Sequence, residues 1–133
     1  MNGKYALDTT AVIALFAGEA GLIGRLREAE EIFLPSVVLG ELYYGAYRSK
    51  RQQENMSRID QFATESAVLD CGVETARRYG EIKNALRAKG KPIPENDIWV
   101  AAITVEHGLT LLAHDAHFHE MAELSLETWS RAP

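Results

Sequence analysis

The 133-residue sequence holds a single cysteine, Cys71, and that alone removes two large classes of small protein. No internal disulfide can form and no four-thiolate zinc site can be built, which agrees with a reducing compartment. No run is both long and apolar enough to cross a bilayer. The opening Met1-Asn2-Gly3-Lys4 passes straight into a strand-like run, without the basic, apolar and small-residue order of a secretory signal. A cytoplasmic location with no membrane partner is therefore the expectation. Gly-rich phosphate loops are missing as well: neither G-x-G-x-x-G nor G-x-x-x-x-G-K-[ST] occurs, which sets aside nucleotide binding of those types. With no repeat, low-complexity tract or linker in view, the length suits one domain over residues 1–133, large enough to bury a real core.

What the sequence does carry is charge, unevenly placed. The net charge of −5 argues against strong non-specific phosphate binding by the whole surface. Residues 48–91, however, hold ten of the fourteen basic side chains against six acidic ones, a local balance of +4, and the rest of the chain stands at −9. A basic band beside an acidic remainder suits a polyanion held next to a cation-binding centre, although two ordinary solvated helices would carry the same charges.

Short apolar runs at Tyr5-Ala6-Leu7, Ile32-Phe33-Leu34, Ala67-Val68-Leu69 and Leu111-Leu112-Ala113 are each followed by a polar break and then by helical periodicity. Helices are predicted over roughly 10–17, 22–30, 37–49, 52–65, 74–89 and 95–107, with Gly90 and Gly108 stopping the last two. A final run from Leu124 to Thr128 reads as an edge strand. Strands alternating with helices through short links favour an α/β sandwich around a mainly parallel sheet.

Four acids stand out against that frame. Asp8 follows the first strand and Asp115 the fourth, so both fall at the carboxyl edge where ligands of parallel sheets collect. Each is also an ordinary candidate for a helix or turn cap. Glu41 lies in "PSVVLGELYYGAY", on a helix beginning at Ser36, among Val37, Val38, Tyr44 and Gly45 and without a basic residue three or four positions away. Its carboxylate should point inward, where it needs a cationic partner. Asp97 opens the apolar stretch Ile98–Ile103; complementing the helix dipole is its ordinary role, yet Glu95 and Asn96 stand closer to the surface to serve as caps. Convergence of all four is stable only if the acids are protonated or bridged by hard, oxygen-seeking cations. A Mg²⁺ or Mn²⁺ site follows, and two such ions about 4 Å apart can activate a water and hold both the attacking and leaving oxygens of a phosphodiester.

The stretches "ALDTTAVIALF", "PSVVLGELYYGA", "IPENDIWVAAITVEHGLTLLAHDAHF" and the closing "LETW" resemble, in order and spacing across nearly the whole chain, the PIN-domain nucleases, and most of all the VapC-type toxins of prokaryotic toxin–antitoxin pairs. The resemblance implies a PIN-like α/β/α sandwich with four to five strands. It places the metal-binding and catalytic acids at Asp8, Glu41, Asp97 and Asp115. It also implies a Mg²⁺- or Mn²⁺-dependent endoribonuclease acting on structured RNA such as tRNA or rRNA, a homodimer, and a cognate antitoxin. One departure is Ala113, where members often carry Thr or Ser; Thr9 and Ser36 are the hydroxyls available to substitute.

Competing readings rest on other residues. His114, His117 and His119 with Asp115 offer zinc ligands, at a spacing that matches no familiar pattern. A receiver-like signalling module would need paired acids after the first strand and a lysine after a late one, which this chain lacks. A PIN fold kept only for binding its antitoxin remains the alternative to turnover. Arg48, Lys50 and Arg51, with Lys83, Arg87 and Lys89, are candidates to steer an RNA backbone. Tyr43, Tyr44 and Tyr47 read first as core or interface packing and second as stacking surfaces. Cys71 reads as a small buried residue near a strand end.

Overall fold

Alternating apolar runs and helical periods produce the architecture seen in the computed structural model, which describes residues 3–130. The strands are β1 (Lys4–Leu7), β2 (Glu31–Pro35), β3 (Ala67–Leu69), β4 (Thr110–Leu112) and β5 (Ser125–Glu127). The helices are α1 (Thr9–Phe16), α2 (Ala20–Arg27), α3 (Ser36–Tyr47), α4 (Gln52–Glu65), α5 (Val73–Ala88) and α6 (Glu95–Glu106), with a 3₁₀ turn at Ala116–Glu120. Strand order is β3-β2-β1-β4-β5, and every neighbouring pair is parallel. Each connection is long enough to return the chain to the starting edge, as parallel pairing requires. The run near Leu124 is the edge strand anticipated, and helices flank the sheet.

The two central strands carry the core. Tyr5, Ala6 and Leu7 of β1 and Leu111 and Leu112 of β4 are buried, and Val12, Val38, Leu42, Ile98 and Ile103 close over them from the helices. Each such side chain contributes roughly 1.5–3 kcal/mol by leaving water. In α6, Ile98 and Val100 through Thr104 are all buried, the outcome that its unbroken apolar run implied. Gly90 and Gly108 end α5 and α6 with φ of +68° and +65°, the left-handed step that glycine takes most readily.

The closing segment is tied down by contacts that no periodicity could reveal. A Cβ on Gly21 of α2 would stand 2.0 Å from the Ser130 carbonyl oxygen, so only glycine admits the crossing chain. Trp129 Nε1 donates to Glu19 Oε1 at 2.9 Å, its ring meets His114 edge-on at 3.9 Å between centroids, and Arg25 donates to Glu127 and to the Thr128 carbonyl.

Two expectations are corrected. Cys71 is exposed, because it lies in the surface link between β3 and α5. Tyr44 and Tyr47 are 63% and 61% exposed, so core packing is set aside for these two, and interface packing or stacking is what their position allows. α3 spends its apolar stripe on Val38, Leu42 and Ala46, four residues apart, which turns Tyr44 and Tyr47 outward. Tyr43 is half-buried and donates its hydroxyl hydrogen to Asp60 of α4.

Candidate active site

The strand order sets the place of the site. From β1 the chain steps to β2 and β3 on one side, then crosses back to β4 and β5 on the other, so the carboxyl ends of β1 and β4 border the crevice where connections diverge. Pairing of Leu7 with Leu112, continued by Asp8 N–H donating to the Leu112 carbonyl at 3.1 Å, seats Asp8 at that edge. Asp8 is the N-cap residue of α1, yet its carboxylate makes no capping bond; it is 3% exposed and receives the Thr10 hydroxyl at 3.2 Å. The opening helix thus leaves its acid turned toward the crevice.

Glu41 projects from α3, half-buried, and accepts from the Thr9 hydroxyl at 2.8 Å. Asp97 sits in the first turn of α6 behind Pro94 and is 8% exposed, whereas Glu95 and Asn96 face solvent. Asp115 follows β4 and does act as a cap, accepting from His117 N–H at 2.9 Å. The negative charges of Asp97 and Glu41 act on Asp8, and those of Asp115 and Glu41 act on Asp97. Four acids from four separate elements therefore share one electrostatic neighbourhood.

Burial raises the Asp8 carboxyl to about 6, with Asp97 and Glu41 adding to the rise against the hydrogen bonds that lower it. Asp97 is raised as well, again chiefly by burial. Oxygen donors of this kind, close together and with no Lys or Arg paired to them among the described residues, fit a hard divalent ion.

Among the described residues a histidine enters the group, and sequence reasoning had offered it only as a zinc ligand. His117 Nδ1 lies 2.9 Å from Asp97 Oδ2 and 3.0 Å from Asp115 Oδ1, and the Asp97 hydrogen bond, with both carboxylate charges, raises its pKa. Asp97, Asp115 and His117 bring ligand atoms within 4.8 Å of one another. The spacing from Asp115 to His117 was visible; that Asp97 would meet them was not. The three-histidine zinc reading finds no support, because His114 turns instead to Thr128, 3.1 Å away, and to Trp129. Thr9 does reach the site, through Glu41. The hydroxyl that serves the β4 exit is Thr10, which accepts from His114 N–H at 3.1 Å while donating to Asp8.

The basic side chains proposed for steering separate into two sets. Lys83 is held by Glu95 at 2.5 Å and Lys89 by Glu120 at 3.6 Å, and Arg51 lies 3.4 Å from Glu54. Arg48 instead lies over the Tyr44 ring, 5.6 Å from its centroid.

Comparison with known proteins places this geometry in a lineage. Residues 5–124 match the PIN domain family. Ribonuclease VapC2 of Haemophilus influenzae is 33% identical over 129 residues, covering 95% of this chain and 98% of its own. The tRNA(fMet)-specific endonuclease VapC of Shigella flexneri is 27% identical over 130 residues, covering 96% and 98%. The crystal structure of VapBC2 from Rickettsia felis, bound to a DNA fragment from its promoter, superposes with a TM-score of 0.86 at 29% identity over 96% of this chain and 99% of that one. With the fold, the acids at the sheet edge and these relatives in agreement, the chain belongs to the PIN-domain family, among its VapC ribonucleases.

Proposed function

We propose that this chain, as a single domain over residues 1–133, is a Mg²⁺- or Mn²⁺-dependent endoribonuclease toxin that cuts structured RNA, tRNA or rRNA, at the four acids. The observation that carries the reading is the buried Asp8, raised to about 6 beside Asp97 and Glu41. Such a group is costly to a fold unless it holds a cation. Asp8, Glu41, Asp97 and Asp115 would hold the ion. When bound, it would supply Lewis-acid charge to the scissile phosphate and a water made acidic enough to attack at neutral pH.

The remaining work falls to the chain itself. Thr9 and Thr10 orient the carboxylates of Glu41 and Asp8 through their hydroxyls, so these acids arrive at the phosphate already aimed. His117 Nδ1 sits against both Asp97 and Asp115 and holds their carboxylates together. Since hydrolysis uses water, no side-chain nucleophile is needed, and none of the acids has to leave its place.

The tRNA(fMet)-specific name of one relative supports a tRNA substrate, and the VapBC2 pairing of another supports a cognate antitoxin as partner. A cytoplasmic homodimer completes the reading. The test is cleavage of total tRNA and rRNA by the purified protein in Mn²⁺ or Mg²⁺. Discrete products that disappear in EDTA and with Asp97→Asn are the expected result; metal binding without any cut would favour a PIN fold that acts by binding alone.

A further inference from the structure

A cleft of about 590 Å³ opens directly beside the acids, between α3, the start of α6 and the start of α1. Glu41, Tyr44, Gly45 and Arg48 line it from α3, at the three- and four-residue spacing that places them on one helical face. Asn96 and Thr9 line it from the other two helices. Glu41 therefore belongs both to the acidic group and to the cleft wall.

The second observation concerns glycine. Gly40 and Gly45 lie inside α3, where each costs about 1 kcal/mol relative to alanine. Neither has a positive φ, and a Cβ built on either meets nothing within 4 Å. No turn and no internal packing explains them. Both line the cleft, so the missing side chains keep its floor open to something from outside. Tyr44, 63% exposed, stands at that floor with the Arg48 guanidinium 5.6 Å from its ring centroid. No carboxylate of the described residues lies within ion-pair distance of Arg48.

We infer that this cleft is a nucleotide subsite: it takes one unpaired ribonucleotide of the substrate strand next to the scissile bond, stacked on Tyr44, with its phosphate on Arg48 and its base edge within reach of Asn96. The inference rests on the ribonuclease reading and deepens it. An aromatic face beside an exposed cation is what single-stranded RNA uses for sequence-tolerant binding. The ring supplies area and the guanidinium neutralises the backbone. An open glycine floor lets the sugar approach the helix closely. RNA that is base-paired at this point cannot enter, so the subsite would direct cutting to loops and bulges.

The test compares Gly45→Ala, Gly40→Ala, Tyr44→Ala, Tyr44→Phe and Arg48→Ala, with Gly80→Ala of α5 as a control, since Gly80 is also a helix glycine in open space but lies away from the cleft. Affinity for a short single-stranded RNA is measured in the Asp97→Asn background, with the probe checked for integrity, and cleavage is measured separately in Mg²⁺. All three alanines for glycine should raise the melting temperature by a few degrees. Only Gly40→Ala and Gly45→Ala should weaken the RNA complex. Tyr44→Ala should weaken it about tenfold, as expected for one stacked base, and Tyr44→Phe should restore it. Arg48→Ala should lower the salt dependence of binding by about one phosphate contact.

Stabilised glycine variants that bind and cut like the wild type would overturn the subsite. So would sedimentation showing that these variants change the oligomeric state while leaving RNA affinity intact, which would make the cleft a seat for a second copy. A wild type that binds RNA through Tyr44 but cuts nothing supports the subsite and defeats only the ribonuclease reading.

Discussion

Asp8 is the residue on which the cost of a buried acid and its proposed metal-binding role meet. Its folded pKa of about 6 lies above the ordinary 3.8, so the native state binds the proton more tightly than the unfolded chain between those values. Stability of the metal-free protein therefore falls as pH rises through that window, by roughly 3 kcal/mol on this residue's account. Asp8→Asn keeps an acceptor for Thr10 and removes the charge; the melting temperature at neutral pH should rise by several degrees while RNA cleavage is lost, which paired scans and assays would show. His117 has the same sign at a higher pH: its raised pKa gives stabilisation that is full below the ordinary 6.5 and lost as pH climbs through the folded value. His117→Ala should lower metal-free stability near pH 6, and the melting temperature should then respond more to added Mg²⁺ than in the wild type, because no imidazolium competes for Asp97 and Asp115. Thr10→Val removes both the donor to Asp8 and the acceptor for His114 N–H, with an expected loss of about 1–2 kcal/mol and a fall in kcat larger than any change in KM.

At the scale of elements, legibility followed periodicity. The helical runs were placed within a few residues because α6 is apolar on every side and α5 and α6 end on glycine, and the strands because each apolar run stops at a polar break. The acids were legible for a related reason: a charge that follows a strand or opens a buried helix stands out against its surroundings. Contacts between distant side chains were beyond reach. Nothing in a one-dimensional pattern says that Trp129 will reach Glu19, that His117 will find Asp97, or that Tyr44 will face water. Glu41 illustrates the boundary, since its inward face could be read from its neighbours while its Thr9 partner could not. The buried start of α6 carries Asp97, so packing behind it should matter to activity. Ile103→Ala, which empties a fully buried position, should cost about 2–5 kcal/mol, with cleavage at low temperature retained if the helix start stays in place.

For the whole molecule, the proposed metal binding and folding stability form one equilibrium. A protein whose acids are short of cations gains stability from any ion that binds only the native state, by an amount set by concentration over Kd. Acidic repulsion at the sheet edge is what an ion bound there would relieve. The net charge of −5 adds to that repulsion. The most direct measurement is calorimetric titration of Mn²⁺ into the full chain and into Asp8→Asn, Glu41→Gln, Asp97→Asn and Asp115→Asn, each checked for a native circular dichroism spectrum. The account predicts binding to the wild type and a marked loss in all four folded variants, greatest for Asp8 and Asp97. Undiminished Mn²⁺ affinity in the four variants would contradict it, and the acids at the sheet edge would then need another explanation.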